Sequence, residues 1–148
     1  MGGNEMNKNI HITQPDYLSL RGMISSGKYN AGLDAKYLGV LEAELRKAIV
    51  VKETEIPADI VTMNSTVCVK NMETGDQSTY KLVFPEKADL QKGNISILAP
   101  IGKALIGEKM GDIVEWAGPS GKIRIKIMKI IYQPEAAKDH NQTYNIPD

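Results

Sequence analysis

The spacing of apolar residues changes once along the chain, and this change constrains the fold more than any other feature. Before residue 50, apolar side chains recur every three or four positions, which is the period of an amphipathic helix. From Thr66 to Tyr132 they alternate with polar residues, which is the period of a strand. We therefore predict an α+β fold in which a short N-terminal antiparallel helical hairpin precedes an antiparallel sheet domain with one short helix.

Two segments carry the helical period. The first starts at Pro15-Asp16 and ends before Gly27. The second follows a short loop, where Asn30 or Asp34 is available to cap it. It runs for about 17 residues, or about 25 Å at 1.5 Å per residue. Because the loop is short, the helices are expected to pack antiparallel. The apolar positions that define the two faces are Tyr17, Leu20, Ile24, Leu38, Leu41, Leu45 and Ala48.

Five segments carry the strand period, with a turn at Gly75 between the first two. They are Thr66–Lys70, Ser78–Phe84, Ile95–Ile97, Asp112–Trp116 and Lys122–Tyr132. A short helix at Pro100–Ile106 precedes the last two, because proline fits the first turn of a helix. The apolar phase of the last strand slips after Ile127, so we predict a β-bulge between Ile127 and Lys129.

These elements divide the chain into four parts. We predict a disordered tail over residues 1–9, a helical hairpin over 10–54, a sheet domain over 55–134 and a flexible tail over 135–148. The two histidines, His11 and His140, match no motif and are assigned to the flexible ends.

Composition excludes several classes of protein. Lys and Arg number 18, as do Asp and Glu, so the net charge is zero and strong direct binding to nucleic acid is not expected. The single cysteine, Cys68, excludes an internal disulfide framework and a cysteine-based zinc site. No apolar run approaches the length of about 20 residues that crosses a bilayer. We expect a soluble cytoplasmic protein that does not associate with membranes.

Several runs of residues resemble one known family. The stretch from Ile95 to Gly107, followed by Lys109–Ile113, resembles the C-terminal domain of the GreA/GreB transcription elongation factors. The preceding strand hairpin, with Glu73-Thr-Gly75, is similar as well. The segment from Leu41 to Ala48 and the segment from Ile56 to Ser65 look closest to the short-hairpin branch, the regulator of nucleoside diphosphate kinase (Rnk).

The resemblance implies a fold, a partner and a set of contact residues. The sheet domain would be FKBP-like and would dock on RNA polymerase at the rim of the secondary channel, with the hairpin pointing into the channel. Pro100 matches the proline of the family motif, whereas Leu98 and Ala99 replace residues that are often Asp and Ser in the cleavage factors. Pro100 could also simply start a helix, and Leu98 could pack inside. The candidate partner-binding residues are Leu98, Ala99, Pro100, Ile101 and Lys103.

The hairpin tip decides which activity is expected. In the cleavage factors an acidic tip supports a magnesium ion, and magnesium prefers carboxylate ligands. Between Arg21 and Gly39 the only acid is Asp34, and Lys28 lies near it in the sequence. Asp34 could also serve only as a helix cap. We therefore expect no metal site, no cofactor and no catalytic residue.

The leading hypothesis is a non-enzymatic transcription regulator that binds RNA polymerase, as a monomer, at the secondary-channel entrance. Two alternatives stay open. The first is a Gre-type factor that stimulates transcript cleavage. The second is an interaction module that affects nucleoside diphosphate metabolism, although the chain has no glycine-rich phosphate loop.

Overall fold

The computed structural model describes residues 9–138 and confirms the α+β fold, with two N-terminal helices ahead of a sheet that is mainly antiparallel. The residues at both ends of the chain, including His140, lie outside the described range. The helices and strands, in chain order, are β1 (His11–Thr13), α1 (Gln14–Ser25), α2 (Gly32–Lys47), β2 (Ile49–Val51), β3 (Thr66–Asn71), β4 (Gln77–Val83), β5 (Asn94–Ser96), α3 (Pro100–Leu105), β6 (Ile113–Gly118), β7 (Gly121–Tyr132) and α4 (Pro134–Ala137). Two 3-10 turns, Pro85–Lys87 and Leu90–Lys92, separate β4 from β5.

The two helices begin in different ways. At the start of α1, the Thr13 hydroxyl accepts a hydrogen bond from the Asp16 N–H at 3.2 Å. At the start of α2, Ala31 occupies the cap position and no side chain caps the helix. The prediction that Asn30 or Asp34 caps α2 is therefore wrong. Asp34 lies in the first turn instead, where its charge is favourable to the helix dipole.

Strands β1 and β2 form a parallel pair that the sequence analysis did not predict. His11 pairs with Ile49 and Thr13 with Val51, so the chain is tied together immediately before α1 and immediately after α2. The assignment of His11 to a flexible end is therefore wrong. Each strand has three residues, which is too short for alternation to be read from the sequence.

The main sheet has five strands in the order β5-β4-β3-β7-β6. Only the β4–β5 pair is parallel. Opposite β3, the pairing register of β7 moves from Lys129 to Ile127 between Cys68 and Val69. Met128 is therefore the extra residue, and the predicted bulge is confirmed.

Helices and sheet share one hydrophobic core. Leu20, Leu41 and Leu45 of the helices are at most 1% exposed and belong to the same cluster as sheet residues such as Val67 and Leu82. Burial of leucine side chains of this kind contributes about 1.5–3 kcal/mol each. The helical unit consequently packs against the sheet through this shared core.

The chain after β7 continues as an ordered element. The buried Gln133 side chain donates hydrogen bonds to the carbonyl oxygens of Pro57 and Ile60, both at 2.8 Å, and Pro134–Ala137 forms a helical turn. Regular structure thus extends to Ala137, two residues past the predicted start of the flexible tail. Among residues 9–138, no helix is long and apolar enough to cross a membrane.

Candidate functional site

The junction between β5 and α3 is a sharp turn held by Ser96. The Ser96 carbonyl oxygen accepts the Ala99 N–H, and the Ser96 hydroxyl accepts the Leu98 N–H, both at 3.0 Å. Pro100 then starts α3, where its missing N–H leaves no bond unmade. The junction therefore holds Ala99 and Pro100 in a fixed position at the end of a strand.

A glycine lets α3 approach this turn. A Cβ atom at Gly102 would overlap with the Ser96 carbonyl oxygen, so α3 reaches its position only because no side chain is present there. The close approach brings α3 against Ser96 at the end of β5. Leu105, the last residue of the same helix, is completely buried.

The predicted contact residues differ in exposure. Leu98 is 5% exposed and packs in the core, which is one of the two positions that the sequence left open for it. Ala99, Pro100, Ile101 and Lys103 are half-buried, and Ile101 packs against the core. The surface that this segment presents is therefore formed mainly by Ala99 and Pro100, with part of Lys103.

The loop between α1 and α2, the hairpin tip, contacts the sheet domain. The Tyr29 hydroxyl donates a hydrogen bond of 2.8 Å to Glu86 Oε2, and Lys28 Nζ lies 3.4 Å from the same oxygen. We call these three side chains the tip latch. Partial burial and the bond to Glu86 raise the pKa of Tyr29 to about 12. The same bond, with Lys28, lowers the pKa of Glu86 below its usual 4.5.

The tip latch and the α3 junction lie at the same end of the sheet. Strands β4 and β5 are parallel, with Val83 beside Ser96. Glu86 follows β4 and Leu98 follows β5, so both segments leave the sheet at the carboxyl ends of neighbouring strands. The structure therefore brings the two predicted regions, the tip and the contact segment, to the same end of the sheet.

Tyr29 and Glu86 are the residues that the sequence analysis missed at the tip. Asp34 is close enough for its charge to help raise the pKa of Tyr29. Two carboxylates therefore lie near Tyr29: Asp34, which belongs to α2, and Glu86, which belongs to the 3-10 turn after β4. No sequence signal indicates a contact across 57 residues. Within residues 9–138, no group of three or more His, Cys, Asp or Glu side chains is arranged to hold a metal ion.

The sequence analysis also missed a buried carboxylate in the first turn of α1. Asp16 is 5% exposed and its Oδ2 accepts the Met63 N–H at 3.0 Å. Burial, followed by the charge of Glu135, raises the pKa of Asp16 to about 7. Glu135 in turn accepts a hydrogen bond of 2.7 Å from the Thr62 hydroxyl. These contacts join α1, the segment before β3 and α4.

Comparison with known proteins identifies the family. The model of a family described as "Transcription elongation factor, GreA/GreB, C-term" matches residues 56–132, which is more than half of the chain and includes the α3 junction. The chain belongs to the GreA/GreB family. Its relatives include the protein named "Regulator of nucleoside diphosphate kinase" of Escherichia coli K12, which is 39% identical over 101 residues, covering 68% of this chain and 74% of the relative.

Two further relatives carry the elongation factor name. A GreA of Christiangramia forsetii is 36% identical over 112 residues, covering 71% of this chain and 70% of the relative. The solved structure of a GreA/GreB elongation factor from Nitrosomonas europaea superposes with a TM-score of 0.69 at 36% identity. It covers 84% of this chain and 99% of its own. The GreA/GreB match thus extends from the sheet into the helical part.

Proposed function

We propose that the protein is a cytoplasmic regulator of transcription that binds RNA polymerase at the rim of the secondary channel, as a monomer, without stimulating transcript cleavage. Membership of the GreA/GreB family supports the partner, and relatives named as elongation factors support the process. The fixed turn at Ala99 and Pro100 supports the α3 junction as the docking segment. The proposal includes an FKBP-like arrangement of the sheet around α3.

The tip latch is the observation on which the absence of cleavage activity depends. A cleavage factor needs free carboxylate oxygens at its tip to help hold magnesium. Asp34 is the one acid that the helical unit supplies there, and Glu86 is engaged by Tyr29 and Lys28. The 16 residues of α2 also span only about 24 Å.

The proposed mechanism is obstruction. Because its tip is held on the sheet domain by Glu86, the helical unit does not extend beyond the domain as a probe. The proposal therefore replaces the expected hairpin that points into the channel with a protein that covers the channel entrance and fills little of the channel. Gre-type factors with a longer hairpin use the same rim, so binding of one protein excludes the other. The expected consequence is inhibition of transcript cleavage by such a factor in proportion to occupancy.

Binding can be tested with purified core RNA polymerase. We expect co-purification at low salt, and we expect Ala99→Glu to weaken it, because a charge placed at the α3 junction must be desolvated on docking. Ala58→Glu places the same charge on an exposed position of the segment before β3, away from the α3 junction, and is the matched control. Failure of the unmodified protein to bind would contradict the proposal, as would equal effects of the two variants.

A stalled elongation complex tests the absence of cleavage. We expect the protein to leave the transcript length unchanged and to slow shortening by an added Gre factor. Shortened transcripts that appear with the unmodified protein and disappear with Asp34→Ala would instead support the cleavage-factor alternative.

The name of the Escherichia coli K12 relative favours one second candidate, an effect on nucleoside diphosphate kinase. The purified protein can be added to that kinase and the rate of phosphoryl transfer measured. A change in rate at stoichiometric concentrations would support a direct interaction, and an unchanged rate would leave transcription as the route of any effect.

A further inference from the structure

Strand β6 is an open edge of the main sheet. It pairs with β7 on one side, and within residues 9–138 no strand pairs with the other side. It has six residues, which is longer than the three-residue β5 at the opposite edge. An unpaired strand of this length presents backbone N–H and C=O groups to which another chain can add.

The register shows which backbone groups face outward. The Ile127 N–H donates to the Asp112 carbonyl at 2.9 Å, which fixes the alternation of bonded pairs along the β6–β7 ladder. Val114 and Trp116 are then the residues that bond to β7. Ile113, Glu115 and Ala117 direct their N–H and C=O groups away from the sheet.

A groove runs beside this edge. It has a volume of about 470 Å³ and is lined by Ile113, Val114 and Glu115 of β6. Its other walls come from the last turn of α2 and from α3. Ile113 is 40% exposed and offers an apolar contact next to the outward backbone groups. The groove therefore lies beside outward-facing backbone N–H and C=O groups of β6, and its walls can contact side chains of an added strand.

The groove carries more negative than positive charge. Lys47 and Lys103 are its two basic residues. Its four acidic residues are Glu44, Glu108, Asp112 and Glu115. Glu115 is 3.7 Å from Lys122, a pair between exposed side chains that water screens strongly. This excess of carboxylates favours a strand that carries lysine or arginine.

We infer that β6 and this groove bind an extended, basic segment of a partner protein by strand addition. The segment pairs with Ile113, Glu115 and Ala117, which span about 14 Å at 3.4 Å per residue, so about five residues of the partner are held. Backbone hydrogen bonds position it, and alternate side chains contact the groove. This surface shares Lys103 with the proposed docking segment but none of the residues of the tip latch or of the Ala99–Pro100 turn. The peptide test on β6 can therefore fail or succeed independently of the proposed function.

The test uses an acetylated eight-residue peptide of alternating lysine and valine, with an alternating glutamate and valine peptide as the charge control. Binding is measured by fluorescence anisotropy, and hydrogen exchange of individual amides is followed by NMR. We expect the lysine peptide to bind and to protect the amides of Ile113, Glu115 and Ala117, which exchange rapidly in the free protein. Affinity should fall as salt rises.

Two substitutions at one position isolate the backbone bond. Glu115→Pro removes the outward N–H but no bond to β7, and proline is tolerated on an edge strand. Glu115→Ala removes the same carboxylate and keeps the N–H. We expect the proline variant to bind about fivefold more weakly than the alanine variant, as loss of one hydrogen bond predicts. Circular dichroism spectra of the two variants verify that both fold.

Four outcomes would overturn the inference. They are the absence of lysine-peptide binding at about 1 mM in low salt, equal binding of the glutamate peptide, protection of amides away from β6, and equal affinities of the two Glu115 variants. Sedimentation velocity supplies a further check, because a dimer in which β6 is already protected without peptide would show that a second copy of the chain, and not a basic partner, covers this edge.

Discussion

Removal of the Tyr29 hydroxyl tests whether the tip latch stabilises the fold. Tyr29→Phe keeps the ring, which packs against the core, and deletes the 2.8 Å bond to Glu86. Hydrogen bonds to charged groups contribute about 1.5–3 kcal/mol. The Glu86 side chain is 53% exposed, so screening by water reduces this contribution to about 1 kcal/mol. We expect the free energy of unfolding to fall by that amount, which corresponds to about a fivefold increase in the open fraction of the tip.

A double-mutant cycle measures the interaction directly. Urea unfolding of the unmodified protein, Tyr29→Phe, Glu86→Gln and the double variant should give a coupling energy of about 1 kcal/mol. Tyr37→Phe is the control, because Tyr37 packs against the same core from α2 and is not part of the tip latch. A coupling energy below about 0.3 kcal/mol would refute the reasoning, since that is within the error of additive behaviour.

The pH dependence of the Tyr29→Phe effect provides an independent check. Folding raises the pKa of Tyr29 from 10.0 to about 12, so its contribution is fully present below pH 10 and is lost as pH rises from 10 to 12. Folding lowers the pKa of Glu86 from 4.5, so the latch is also lost as pH falls through the lowered value. The difference in unfolding free energy between the unmodified protein and Tyr29→Phe should therefore be constant between pH 4.5 and pH 10.0. It should shrink below and above this range.

Two further predictions concern stability. Asp16→Asn keeps an oxygen acceptor for the Met63 N–H and removes a buried charge. Folding raises the pKa of Asp16 from 3.8 to about 7, so ionisation of Asp16 lowers the stability of the folded protein as pH rises through that range. The variant should be more stable than the unmodified protein by about 1–3 kcal/mol at pH 8 and equal to it near pH 4 in urea unfolding, and equal stability at pH 8 would contradict this. Gly102→Ala forces a methyl group into the Ser96 carbonyl and should cost about 3 kcal/mol or more in thermal unfolding. Gly39→Ala has open space around it in α2 and should stabilise by about 1 kcal/mol, so two losses of equal size would disprove the steric explanation.

Long periodic segments of the fold could be predicted from the sequence. The alternation of β7, including the slip that places Met128 in a bulge, follows directly from which residues must face the core. The β1–β2 pair could not be predicted, because three-residue strands carry no usable period and their partner lies 38 residues away. The order of parallel and antiparallel pairs in the sheet was likewise not predicted from periodicity.

The candidate site was predictable only where it depends on a local motif. The position of Pro100 at the start of α3 follows from local chemistry and is confirmed. The tip latch depends on where the helical unit rests on the sheet, and a contact between residues 29 and 86 follows from tertiary packing alone. The burial of Asp16 has the same origin, since an acid in the first turn of a helix ordinarily faces water.

The parallel pairing of β1 with β2 has a consequence for building chimeric proteins. The three paired positions of β1 and β2 lie on either side of the two helices in the chain. The segment between the two short strands can therefore be exchanged as a unit, because its two ends lie side by side. A longer pair of helices from another family member could be transplanted at these points if it also supplies apolar side chains in place of Leu20, Leu41 and Leu45, which fill the core shared with the sheet. A replacement that starts after Thr13 but removes β2 would leave β1 without its partner strand, so only one end of the transplanted helices would be fixed.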